Sequence, residues 1–144
     1  MGASRWSYFT PFRRSERDAL NDLRETVFAG EAAYYREAGV ETLAMLMASG
    51  WLEEEPAHSV LDVARVVRCE EDMEEPGDVR VVEAAEVVAL FGTARPVREV
   101  VEQALKRAGD GWIPPTDRGS GCCTVVYSAE GHPAELCIWG FTGD

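Results

Sequence analysis

Two segments near the C-terminus constrain the fold of this chain more than anything before them. Cys122-Cys123-Thr124-Val125-Val126-Tyr127 and Pro133-Ala134-Glu135-Leu136-Cys137-Ile138-Trp139 are rich in β-branched and aromatic residues and flank the turn-forming run Ser128 to His132. This pattern predicts a β-hairpin. Side chains alternate between the faces of a strand, so the register can be read as well. With Ala129 to His132 as the turn, Val125 faces Leu136, Cys123 faces Ile138 and Tyr127 faces Ala134, an apolar set that belongs in a core. The reverse face then carries Cys122, Thr124, Val126, Glu135, Cys137 and Trp139, a mixed surface for a helix, a ligand or a partner to cover.

The hairpin needs further strands and a helical layer, because an isolated pair is marginal in water. Trp6 to Phe12 reads as a first strand that ends, or lies at an edge, at Pro11. Ser15, Asp18 and the spacing of Leu20, Leu23 and Val27 predict a capped amphipathic helix closed by Gly30. Between Glu31 and Gly50 the period is weaker and suggests a broken or second helix, with Leu43, Leu46 and Met47 on one side. Segment 59–69 fits a helix by spacing and a strand by its β-branched content, and is read as a strand in its first half. Ala84, Val87, Val88 and Phe91 give a short helix closed by Gly92, and Pro96 opens another whose stripe runs from Val97 to Ala108. Gly111 to Gly121 is a loop.

The expected fold is therefore α+β: an antiparallel sheet of the N-terminal strand and the C-terminal hairpin, joined by part of 59–68. Helices 15–29, 84–91 and 96–108 cover one face of it. A chain of 144 residues suits one domain spanning 1–144. No stretch approaches the length of a membrane span, and Met1 to Phe12 lacks the apolar run of a secretory leader. These features lead to an expectation of a cytoplasmic protein that does not use membranes. Cys69, Cys122, Cys123 and Cys137 form no CxxC and read as reduced thiols.

Phe28-Ala29-Gly30 with Tyr34-Tyr35, Ser59-Val60-Leu61-Asp62, Leu90-Phe91-Gly92-Thr93 with Pro96, Val125-Val126-Tyr127 and the ending Gly140-Phe141-Thr142-Gly143-Asp144 also form a recognisable order. In these motifs the chain resembles a family of small uncharacterised bacterial proteins. The resemblance implies a cytoplasmic single domain and assigns no activity.

Charge bounds the function. The net charge is −12, and residues 51–90 hold 12 acidic side chains against 3 arginines. An acidic loop is expected at about 70–78, where like charges repel and Pro76-Gly77 breaks regular structure. Direct nucleic-acid binding, which needs clustered Lys and Arg to displace counterions, is disfavoured. A basic protein partner is favoured.

Catalytic and cofactor signatures are weak. Cys122 and Cys137 are diagonal neighbours in the proposed register, wide for a shared zinc, and no set of four ligands accompanies them. A catalytic thiol needs a base, and the two histidines, His58 and His132, fall before an apolar run and in the hairpin turn. The acidic stretches lack the alternating oxygen ligands and central glycine of a calcium loop. No phosphate-cradling glycine loop precedes a helix. Neither a cofactor nor a metal is expected.

The leading expectation is a small, acidic, non-enzymatic binding protein. It would dock on a basic protein partner and regulate or neutralise it, as immunity proteins and antitoxins do. The docking residues would be Glu53, Glu54, Glu55, Glu70, Glu71, Asp72, Glu74 and Glu75. A second reading is a small-molecule binder or enzyme using the hairpin face around Cys122, Cys137 and Trp139. A third is a structural subunit that forms a homodimer through an exposed sheet face.

Overall fold

The computed structural model describes residues 3–68, 77–108 and 120–143. In chain order the elements are β1 (Ala3–Pro11), α1 (Glu16–Gly30), α2 (Ala32–Arg36), α3 (Leu43–Ser49), α4 (Trp51–Glu54), a 3-10 turn (Val60–Asp62), β2 (Arg65–Val67), β3 (Asp78–Val81), α5 (Ala84–Phe91), α6 (Arg98–Ala108), β4 (Ser120–Tyr127) and β5 (Pro133–Gly143). The strands form one sheet in the order β1-β5-β4-β3-β2.

The hairpin forms in the register its alternation predicts: Cys123 pairs with Ile138 and Val125 with Leu136. An irregularity between Val126 and Tyr127 then sets Tyr127 opposite Pro133 rather than Ala134. Gly131, at φ +84°, makes the turn in the left-handed region that glycine enters freely. β1 adds antiparallel to the outer side of β5 and is an edge strand ending at Pro11.

The sheet is mixed, not purely antiparallel. β3 runs parallel to β4, and β2 parallel to β3. Parallel neighbours need a crossover, and α5 with α6 supplies it between β3 and β4. A crossover lays its helices on the opposite side of the sheet from α1, so the expectation of helices on a single face is also overturned. On one face α1 places Ala19, Leu20 and Leu23 against Trp6, Val79, Cys123, Leu136 and Ile138. On the other, Val87 and Phe91 of α5 and Val101 and Ala104 of α6 cover Cys122, Val126, Cys137 and Trp139.

Segment 59–69 also differs from expectation. Its first half is the 3-10 turn, and the strand lies in its second half. Ser59 and Asp62 form a reciprocal capping box that fixes the turn. The Asp62 carboxylate also accepts from the backbone N–H groups of Ala57 and His58, both at 2.8 Å. Local polar capping thus outweighs the β-branched composition. Helix α6 starts two residues after Pro96, because Val97 first bridges to Tyr127.

Two charged pairs sit along the parallel strands. Arg65 meets Asp78 through two hydrogen bonds, and the buried Arg80 meets Glu86 of α5 the same way. The Arg80 guanidinium holds the Glu86 carboxyl below the usual carboxylate range. Its contribution is therefore present above the ordinary carboxylate pKa and lost as pH falls through the lowered one. Thermal unfolding followed from neutral to acid pH should show a shallower acid decline in Glu86→Gln than in wild type; parallel curves would contradict the assignment.

Trp6 and Gly140 are cross-strand partners on β1 and β5, and the indole packs over the glycine. A Cβ on Gly140 would clash with the six-membered ring of the Trp6 indole. Gly121, paired with Gly140 on the other side, has a Trp139 carbonyl oxygen 2.6 Å from where its Cβ would be. Overpacking at such a contact costs about 1–3 kcal/mol. Gly140→Ala should lower the melting temperature accordingly, and combining it with Trp6→Val should recover part of the loss. A strictly additive double-mutant cycle would show that ring and glycine are uncoupled.

Candidate functional site

Beside the sheet, the end of α1 and the short helices α2, α3 and α4 build a lobe with its own core. Phe28, Tyr35, Val40, Leu43, Leu46 and Leu61 are buried there, with Trp51 and Leu52 packed against them. The lobe turns sharply between α3 and α4 at Gly50, φ +77°. Thr42 caps α3 by accepting from the Met45 N–H. At its other end, Ser49 Oγ donates to the Leu46 carbonyl at 2.7 Å and accepts from the Trp51 N–H at 3.1 Å. These contacts set Trp51 against an aromatic array: Phe28 stacks on Tyr35, and Tyr34 and Tyr35 both pack against the Trp51 ring at centroid distances of 5.8 and 5.2 Å.

The segments that build this lobe are rich in carboxylates. Glu31, Glu37, Glu41, Glu53, Glu54 and Glu55 are all exposed. Arg36 is the one basic side chain between residues 31 and 57. Among the described residues, none of these six glutamates makes an ion pair. On the sheet body, by contrast, Glu16, Asp22, Asp78, Glu86, Glu102 and Glu135 each hold an arginine. Tyr35 senses the field of the lobe. Burial, then Glu31 and further nearby groups including Glu55, push its phenol up to about 12.

A shallow, open groove of about 520 Å³ runs along α4, lined by Ser49, Trp51, Glu54 and Glu55. Its walls combine an indole with two carboxylates, the chemistry that receives a cationic side chain. Of the expected docking residues, Glu53, Glu54 and Glu55 thus stand together on the lobe. Glu70, Glu71, Asp72, Glu74 and Glu75 lie outside the described residues. Sequence reasoning named Tyr34 only within a motif and assigned no site role to it or to Trp51, Glu31, Glu37 or Glu41. The available signal was the aromatic pair Tyr34-Tyr35 and a tryptophan two residues before three glutamates.

The hairpin face around Cys122, Cys137 and Trp139 is covered by a helical layer. All three side chains are buried beneath α5 and α6. Burial pushes the thiols of Cys123 and Cys137 upward, away from the reactive thiolate. Trp139 Nε1 is buried without a hydrogen-bond partner. Among the described residues, no group of three or more His, Cys, Asp or Glu side chains converges as metal ligands, and no helix is long and apolar enough to cross a membrane. His132 is exposed in the hairpin turn, and His58 is exposed at positive φ before the 3-10 turn.

Comparison with protein-family models, curated proteins and solved structures finds no match. The residues themselves therefore carry the functional argument.

Burial of the thiols has a direct chemical consequence. In the native protein Cys122, Cys123 and Cys137 should resist iodoacetamide at neutral pH and become alkylated on denaturation, as read by peptide mass mapping. Rapid native labelling of any of the three would show that the hairpin face opens to solvent.

Proposed function

We propose that this protein is an acidic docking module that binds a basic protein partner through the α2–α4 lobe and regulates or neutralises it, in the manner of immunity proteins and antitoxins. The observation that carries this reading is the contrast in charge balance: residues 31–57 carry six glutamates against one arginine, while the remaining described residues carry 12 acidic and 12 basic side chains.

Like charges held close on a folded surface repel one another, and a cationic partner relieves that repulsion on binding. Exposed charges of one sign also raise the association rate and reject acidic competitors, with modest effect on the stability of the free protein. The groove beside Trp51 supports the same reading, because an aromatic wall adds contact area that a field alone lacks. Acids balanced by bases over the whole surface would mean no more than solubility; here the excess negative charge of the described residues lies on the one lobe that holds the aromatic array.

The test is capture from native-host lysate at low salt, identification of retained basic proteins, and kinetic measurement with the purified partner. Replacing Glu53, Glu54 and Glu55 by Gln should weaken affinity about tenfold, equivalent to about 1.4 kcal/mol, chiefly through a slower association rate. The loss should shrink as salt rises, while the melting temperature holds or increases. Retention of no basic protein, or a partner whose affinity ignores both the substitutions and salt, would overturn the reading.

A further inference from the structure

Arg24 projects from α1 into the junction of α1, α3 and the 3-10 turn, and it is only 6% exposed. Such guanidinium groups normally meet a carboxylate, because an unpaired buried charge is costly. Arg24 has none. Its Nη2 donates to the Met47 thioether sulfur at 2.9 Å and to the Leu61 carbonyl at 3.4 Å, and its Nε has no partner. A thioether is a weak acceptor for a full positive charge. Its owner, Met47, is 42% exposed, so one side of this junction faces solvent.

We propose that Met47 is a site of reversible oxidation whose sulfoxide is held by the Arg24 guanidinium. Hydrogen peroxide is the oxidant. The sulfur lone pair attacks one peroxide oxygen and the O–O bond breaks as the S–O bond forms. The second oxygen leaves with the remaining protons as water, so sulfur is oxidised by two electrons and peroxide is reduced. The new oxygen sits one bond from the sulfur that already faces Nη2, and it is a far stronger acceptor. Oxidation normally disrupts apolar contacts because it makes the side chain polar. Here the polar product meets a buried donor that lacks an adequate partner, so the modified lobe keeps its packing. Methionine sulfoxide reductases provide the return path.

Met45 is the internal control: it lies on the same helix, is 45% exposed, and among the described residues accepts no hydrogen bond from an arginine. The experiment treats the full-length protein with hydrogen peroxide, locates sulfoxides by peptide mass mapping, and measures melting temperature. Glutamine supplies a carbonyl oxygen at the same reach, so Met47→Gln tests the pairing without any oxidation. Met47→Leu should lower the melting temperature by about 2–4 °C, as loss of one hydrogen bond from a buried charge implies. Met47→Gln should match or exceed wild type. Met45→Leu protein oxidised at Met47 should melt no lower than before treatment, and a sulfoxide reductase should return it to the starting mass. The inference fails if Met47→Gln falls as far as Met47→Leu, if Met47 resists peroxide under conditions that oxidise Met45, or if its oxidation lowers the melting temperature in that background.

Discussion

Strand β5 is the element on which the rest of the structure depends. It pairs along most of its length with β1 on one side and β4 on the other, and each of its faces feeds a different core. Leu136 and Ile138 point to α1, while Cys137 and Trp139 point to α5 and α6. A strand buried on both faces cannot slip by one residue without exchanging two complete sets of contacts. Pairing register and layer order are thus settled by the same residues.

This arrangement leaves little freedom near its centre. Trp6 lies over Gly140, and Gly140 is paired in turn with Gly121, whose Cβ would meet the Trp139 carbonyl oxygen, so neither glycine leaves room for a side chain. The opposite face keeps a local cost. Trp139 Nε1 is buried without an acceptor, which opposes folding by about 1–3 kcal/mol. The apolar area that the indole removes from water under α5 and α6 offsets it, at roughly 25 cal/mol for each Å². Cys122 and Cys137, packed beside that ring, are small hydrophobic groups, and burial raises the proton affinity of the Cys137 thiol, which disfavours the reactive thiolate there.

Charge is segregated in the same way as packing. Among the described residues the sheet body carries equal numbers of acidic and basic side chains, so that surface projects little net field, whereas the lobe that holds Tyr34, Tyr35 and Trp51 presents six glutamates against one arginine. The lobe tolerates this because its acids are exposed and well hydrated, and its own small core supplies the cohesion. Arg24 sits at the root of the lobe as its buried exception, tied to α3 through a sulfur and to the 3-10 turn through a carbonyl.

Much of this was legible in the amino-acid order. Alternation along 122–139 determined the hairpin and its register, Ser15 and the spacing of Leu20, Leu23 and Val27 determined α1, and Gly92 marked the end of α5. The charge imbalance was equally plain. Strand β3 was not legible: its Asp78 and Arg80 alternate with Val79 and Val81, but four residues are too few to show a period, and two charged residues after Pro76-Gly77 read as loop until their partners Arg65 and Glu86 are in place. With β3 unseen, the parallel half of the sheet and the crossover that puts α5 and α6 on the second face were out of reach. The lobe's array was hidden for a related reason, since Tyr34, Trp51 and Glu31 are neighbours only after α2, α3 and α4 fold back at Gly50. Local sequence determined which segments pair and where helices begin and end, because those choices rest on contacts within a few residues. Tertiary structure alone decided which face each helix covers and which glutamates stand together, because those depend on contacts between residues far apart in the chain.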